Sequence, residues 1–116
     1  MNKMSCLYDS LSKYVDIGSQ DLRAKICDYL DRDPDIAGCT AQQIVEWQAN
    51  MSLDRYTALM RTNAWGGAIE IKAFCDIYET NVRVQIPDSR EIEFISQKKT
   101  DRMVCIKWTG NHFSIA

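Results

Sequence analysis

The spacing of apolar residues changes at Val82, and that change constrains the fold more than any other feature of the chain. Before it, apolar side chains recur every three or four positions, as on a helix with one buried stripe; from it onward they alternate, as on a strand with one buried face. A chain that switches period once, late, lays down consecutive helices and then consecutive strands. The expectation is an α+β fold with a helical layer packed on a small antiparallel sheet.

Ser5 precedes a first helix of about ten residues with Leu7, Leu11 and Tyr14 at helical spacing, which puts Cys6 in its first turn. Ser19 opens a second helix whose face carries Leu22, Ile26, Tyr29 and Leu30, stopped before Asp33-Pro34 because proline disfavours helical backbone in the residue ahead of it. Thr40 caps a third with Ala41, Ile44, Val45 and Trp47, and Ser52 a fourth with Leu53, Tyr56, Leu59 and Met60. The Trp65-Gly66-Gly67 loop leads into a fifth, over about 68–79, with Ile69, Ala73, Phe74 and Ile77 buried. Val82, Val84 and Ile86, the turn 87–90, then Ile92 and Phe94 read as a hairpin. Val104, Ile106 and Trp108 form a third strand, and Thr109-Gly110-Asn111 turns the chain into a last strand over 112–115, which completes a meander. Alternation in that strand places Phe113 and Ile115 toward the core, and His112 and Ser114 on the opposite, accessible face.

With 116 residues and 46% hydrophobic content, the chain can bury one core, so residues 1–116 are expected to form a single domain. Fourteen basic and sixteen acidic residues are interspersed for a net charge of −2, without the basic surplus a nucleic-acid surface collects; the one locally basic stretch, 97–102, reads as a solvated turn. No apolar run approaches the ~20 residues that span a bilayer, and the start lacks a signal peptide's apolar core. The expectation is a soluble, cytoplasmic monomer that binds neither nucleic acid nor membrane. The five cysteines are odd in number, widely spaced and without a C-x-x-C pair, which speaks against a disulfide framework and a structural zinc site. No metal or other cofactor is expected. Cys27, Cys75 and Cys105 lie inside apolar periodic segments and read as small buried hydrophobes.

Cys6 is placed differently. A helix start stabilises a thiolate through its free N–H groups and dipole. His112, the sole histidine, is the one imidazole able to take the thiol proton and return it to a leaving amine. Backbone N–H groups at the turn before the helix can receive a developing oxyanion.

Cys6-Leu7-Tyr8 with Leu11-Ser12, Leu22-Arg23 with Tyr29-Leu30, the block Trp65-Gly66-Gly67-Ala68-Ile69-Glu70-Ile71-Lys72-Ala73, and Asn111-His112-Phe113 span nearly the whole chain. In that order they resemble the ovarian tumour (OTU) family of cysteine deubiquitinases, the Trp-Gly-Gly block being the most specific piece. The resemblance implies a papain-like cysteine protease that cuts the isopeptide bond after ubiquitin's C-terminal glycine. Cys6 would be the nucleophile and His112 the general base, with Ser5, Trp65, Gly66, Gly67 and Asn111 lining the cleft. Its partners would be ubiquitin or polyubiquitin, and ubiquitin-like modifiers. Two positions depart from the family pattern: Lys3-Met4-Ser5 stand where Asp-Gly-Asp/Asn is usual, and Ser114 stands two after the histidine, where Asn or Asp is usual. Ser114 becomes the expected orienter of His112, a weaker one because a hydroxyl accepts a hydrogen bond without a carboxylate's charge. The alternatives are a catalytically weak ubiquitin-binding relative and a polyprotein-processing protease. The compact length suits a viral or other minimal enzyme, acting in the host cytoplasm if viral.

Overall fold

A computed structural model describes residues 5–62 and 64–116, so Lys3 and Met4 lie outside the described residues. The helices are α1 (Cys6–Ser12), α2 (Ser19–Asp31), α3 (Ala41–Ala49), α4 (Leu53–Met60) and α5 (Ala68–Tyr78). The strands are β1 (Asp35–Ile36), β2 (Cys39–Thr40), β3 (Asn81–Gln85), β4 (Glu91–Phe94), β5 (Met103–Trp108) and β6 (Phe113–Ile115). Helices precede the sheet, as the change of period requires.

Local chemistry sets the boundaries. Thr40 and Gln43 close a reciprocal capping box at the start of α3, and Ser52 Oγ accepts from the Arg55 N–H at the start of α4. Asn50 and Glu79 end α3 and α5 in the left-handed region. The hairpin β1–β2 was too short to show a period. Ala37 and Gly38 both have positive φ there, as a tight two-residue hairpin turn requires, and Gly38 donates its N–H to Asp35 Oδ1.

The sheet order is β4-β3-β5-β6, and it corrects the expected antiparallel meander. β3 pairs antiparallel with β4, and β5 with β6, but β3 and β5 run parallel, with Val82 opposite Val104 and Val84 opposite Ile106. The segment 95–102 carries the chain back to the start of β3 before β5 begins. Ser96 donates its N–H to Asn81 Oδ1 and Gln97 its N–H to Asp76 Oδ1, while Arg102 O accepts from the Asn81 N–H. Alternation dictates which side chains share a face; it does not dictate which strand lies alongside.

Leu22, Ile26 and Leu30 of α2 are fully buried against Leu7 and Leu11 of α1, Phe74 of α5 and Ile106 of β5 in one core. Trp47, expected on the buried face of α3, is 70% exposed. It lies two residues after buried Val45, about 200° around the helix, and the two cannot face the same way. Ile115 shares the core-side face with Ile106 yet is 47% exposed, because it sits on the edge strand.

Two charged residues lie in this apolar setting, each 1% exposed. Arg23 Nη1 donates to Met60 O (2.7 Å) and Ala64 O (2.9 Å), and its guanidinium stands 4.3 Å over the Tyr8 ring. Glu70 accepts from the Tyr56 hydroxyl at 2.5 Å and from the Gly67 N–H at 2.8 Å. Burial holds Glu70 above the ordinary glutamate range, opposed by those hydrogen bonds and by nearby Arg23. The loop between α4 and α5 is thereby pulled against α1. A Cβ on Gly66 would stand 2.6 Å from Leu7 Cδ2 and 3.1 Å from the Tyr8 hydroxyl.

Gly66→Ala should therefore destabilise the protein by about 1–3 kcal/mol in urea melts, since the Leu7 methyl it displaces is already packed. A buried acid with a raised value contributes stability that is complete below its unfolded value and is lost as pH rises through its folded one. Glu70→Gln keeps an acceptor for Gly67 and offers an amide to Tyr56, so its stability relative to wild type should rise as the pH climbs above the ordinary glutamate range in paired urea melts.

Candidate active site

Cys6 is the first residue of α1, with Ser5 at the N-cap. The Ser10 hydroxyl donates to Cys6 O at 2.8 Å and ties the first turn. β6 runs alongside α1, and the Phe113 N–H donates to Cys6 Sγ at 3.3 Å. That bond joins residues at opposite ends of the sequence, and it is available because an edge strand leaves alternate N–H groups unpaired. His112 precedes β6 rather than opening it. Its carbonyl accepts from the Thr109 N–H at 3.0 Å, closing a turn in which Gly110 has φ +107°.

Cys6, His112 and Ser114 line one cleft of about 540 Å³, together with Asp9, Lys13 and Ser19. A second recess of about 370 Å³ is walled by Trp65, Trp108 and Phe113 and lined by Gly66, Gly110 and Asn111. The two share Phe113, the residue that follows the histidine. Trp65, Gly66 and Asn111 line this second recess.

Ser5 and Gly67 line neither recess. Ser5 is buried, and among the described residues its hydroxyl has no hydrogen-bond partner and makes no cap bond to α1. Gly67 is the N-cap of α5, held by Glu70. Ser114 reaches the correct cleft wall, but no hydrogen bond links it to the His112 ring among the described residues. Sequence reasoning missed Asp9 and Trp108 at the site. Asp9 was findable, because a residue three after Cys6 on a helix shares its face.

The other thiols are set apart by their surroundings. Burial pushes Cys27 up to about 11 and Cys75 up to about 12, so both stay neutral packing groups. Cys105, expected to be buried, is only half-buried: it pairs with Arg83 on the polar outer face of the sheet.

A cysteine at a helix start, sharing a cleft with a histidine in the turn that leads into the adjoining edge strand, is the kind of arrangement papain-like cysteine hydrolases use. The family model of the OTU-like cysteine proteases matches residues 5–115, and the chain belongs to that family. Among solved structures it is similar to an OTU domain in complex with ubiquitin, at TM-score 0.81 and 20% identity over 99% of this chain and 64% of that one. It is also similar to the viral OTU domain protease from Qalyub virus (TM-score 0.76, 13% identity, 99% of this chain and 78% of that one). A third is the ubiquitin-bound OTU deubiquitinase from Wolbachia pipientis wMel (TM-score 0.69, 18% identity, 99% and 90%). At these identities the likeness is one of fold. A sequence search of curated proteins finds no match.

If His112 activates Cys6, brief iodoacetamide treatment near neutral pH should modify Cys6 ahead of Cys27 and Cys75, as read by mass mapping. His112→Ala should slow modification of Cys6 and leave that of Cys39 unchanged; equal slowing at both would detach the histidine from the thiol.

Proposed function

We propose that the protein is a deubiquitinating cysteine protease that hydrolyses the isopeptide bond after ubiquitin's C-terminal glycine. The observation that carries this reading is the shared cleft of Cys6 and His112, with the Phe113 N–H on the sulfur. The adjoining recess supports it: a slot between Trp65 and Trp108, lined by Gly66 and Gly110, suits a chain end without side chains. Solved OTU domains of similar fold are bound to ubiquitin, among them that of Hazara virus (TM-score 0.73, 16% identity, 99% of this chain and 76% of that one).

In this reading the His112 imidazole takes the Cys6 thiol proton, and the thiolate attacks the glycine carbonyl carbon. Backbone N–H groups at the start of α1 face the developing oxyanion. The C–N bond breaks as imidazolium returns the proton to the lysine Nε, leaving a thioester on Cys6. Water then adds to the thioester carbonyl and gives a proton to His112. The C–S bond breaks, releasing the carboxyl terminus and the thiolate. Ser114 Oγ, on the same wall, orients the ring when it accepts from the imidazole N–H. No step calls for a metal or cofactor. The described cysteines are free thiols, which suits a reducing compartment such as the cytoplasm.

A second reading, a ubiquitin-binding relative with little turnover, is favoured by one observation: no side-chain hydrogen bond orients the His112 ring among the described residues. A ubiquitin carrying a C-terminal thiol-reactive group, together with steady-state release of a fluorophore from ubiquitin's C-terminus, separates the two. The protease reading expects labelling at Cys6 alone, near-complete loss of turnover in Cys6→Ala and His112→Ala, and in Ser114→Ala a loss well short of the ~10²–10⁴ that acid–base catalysis supplies. Labelling without turnover selects the second reading, and labelling at another cysteine sinks the first.

A further inference from the structure

Asp9 is half-buried on the wall of the cleft that holds Cys6 and His112, and no hydrogen bond or ion pair reaches its carboxylate among the described residues. Unpaired, partly desolvated charge beside a reactive centre carries a cost that a resting structure normally offsets. Lys13 stands at the i+4 spacing that favours an ion pair, yet none closes between them; Asp9 does not pair with His112 either. The carboxylate is therefore free for something that enters the cleft.

What enters follows from how the two recesses divide a substrate. The slot between Trp65 and Trp108 is apolar and glycine-lined, whereas the larger cleft presents Asp9, Lys13 and the hydroxyls of Ser19 and Ser114. Building on the protease reading, the slot takes the acyl side of the scissile bond. The cleft with Asp9 takes the leaving side, where an amine becomes an ammonium as the bond breaks. Along the α1 axis Asp9 stands about 4.5 Å beyond Cys6 and Lys13 about 10.5 Å beyond it. Asp9 is also half-buried where Lys13 is exposed, so its charge is the less screened of the two near the thiol.

We infer that Asp9 is a specificity-determining residue for the leaving side, selecting a substituted lysine whose neighbours carry positive charge. The probes are two conjugates of ubiquitin joined through its C-terminal glycine to the lysine of a short peptide, one basic and one acidic around that lysine, alongside the ubiquitin–fluorophore substrate. Wild type should show a higher kcat/KM on the basic conjugate than on the acidic one, by about two- to fivefold, the range of a part-exposed ion pair. In Asp9→Asn that ratio should fall toward one, while Asp9→Glu should retain a preference and raised salt should erase it. Equal kcat/KM on the two conjugates by wild type would overturn the inference whether or not the variant folds. So would an Asp9→Asn variant that loses activity on all three substrates in parallel, since that marks a structural role at Cys6. Wild type that turns over none of the three fails at the protease reading itself, a result distinct from turnover without charge preference.

Discussion

Glu70 and Arg23 are removed from water inside a domain whose other buried side chains are mostly apolar, and the geometry around them accounts for most of what surrounds the candidate site. Each is bonded to groups that also define the backbone path. Glu70 takes the Gly67 N–H and the Tyr56 hydroxyl, so it joins the start of α5 to α4. Arg23 takes the carbonyls of Met60 and Ala64, so it joins α2 to the last residue of α4 and to the connection that follows it. Removing one member of such a set leaves a buried polar group unsatisfied, which costs about 1–3 kcal/mol. Gly66 in that connection packs against Leu7 and Tyr8. The residues it presses on belong to α1, the helix that carries Cys6.

The other wall of the site comes from the sheet. α1 meets β6 at a sheet edge, and the Phe113 N–H that would otherwise face solvent points at Cys6 Sγ. The same edge brings His112 and Ser114 into the cleft, while the turn through Gly110 sets the approach of the chain. Because β5 reaches β6 through that tight turn, the aromatic wall of the neighbouring recess, Trp108 with Phe113, is assembled by the same short segment that delivers the histidine. Cys6, His112 and the aromatic recess come together where one helix start, one edge strand and the loop before α5 converge.

With β5 beside it in parallel, β3 becomes a central strand buried on the helix side. Val82 and Val84 lie between Phe94 and Ile92 on one side and Val104 and Ile106 on the other, and the paired β3 residues are buried under the helices. The outer face carries Arg83, Glu91, Glu93 and Lys107 and remains polar, with Arg83 ion-paired to both glutamates. That division leaves the chemistry to the sheet's edge rather than its face.

The sequence by itself determined the class of fold and the five helices to within a residue or two at most ends, and it singled out Cys6 and His112, which the structure brings to one cleft. These rest on local periodicity, capping residues and a scarcity of candidates: with one histidine in the chain, only one imidazole could serve. It also carried the Trp65-Gly66-Gly67 block and Glu70, although not the reason for them, which is close contact with α1 and a buried carboxylate. Tertiary structure alone decided that β5 joins β3 in parallel, that Trp47 and Ile115 face outward, that Ser5 and Gly67 stand away from the cleft, and that Asp9 stands in it unpaired. Periodicity records which residues lie on the same side of one element. Which elements become neighbours, and so which polar groups find partners and which are left free, depends on contacts between residues far apart in sequence.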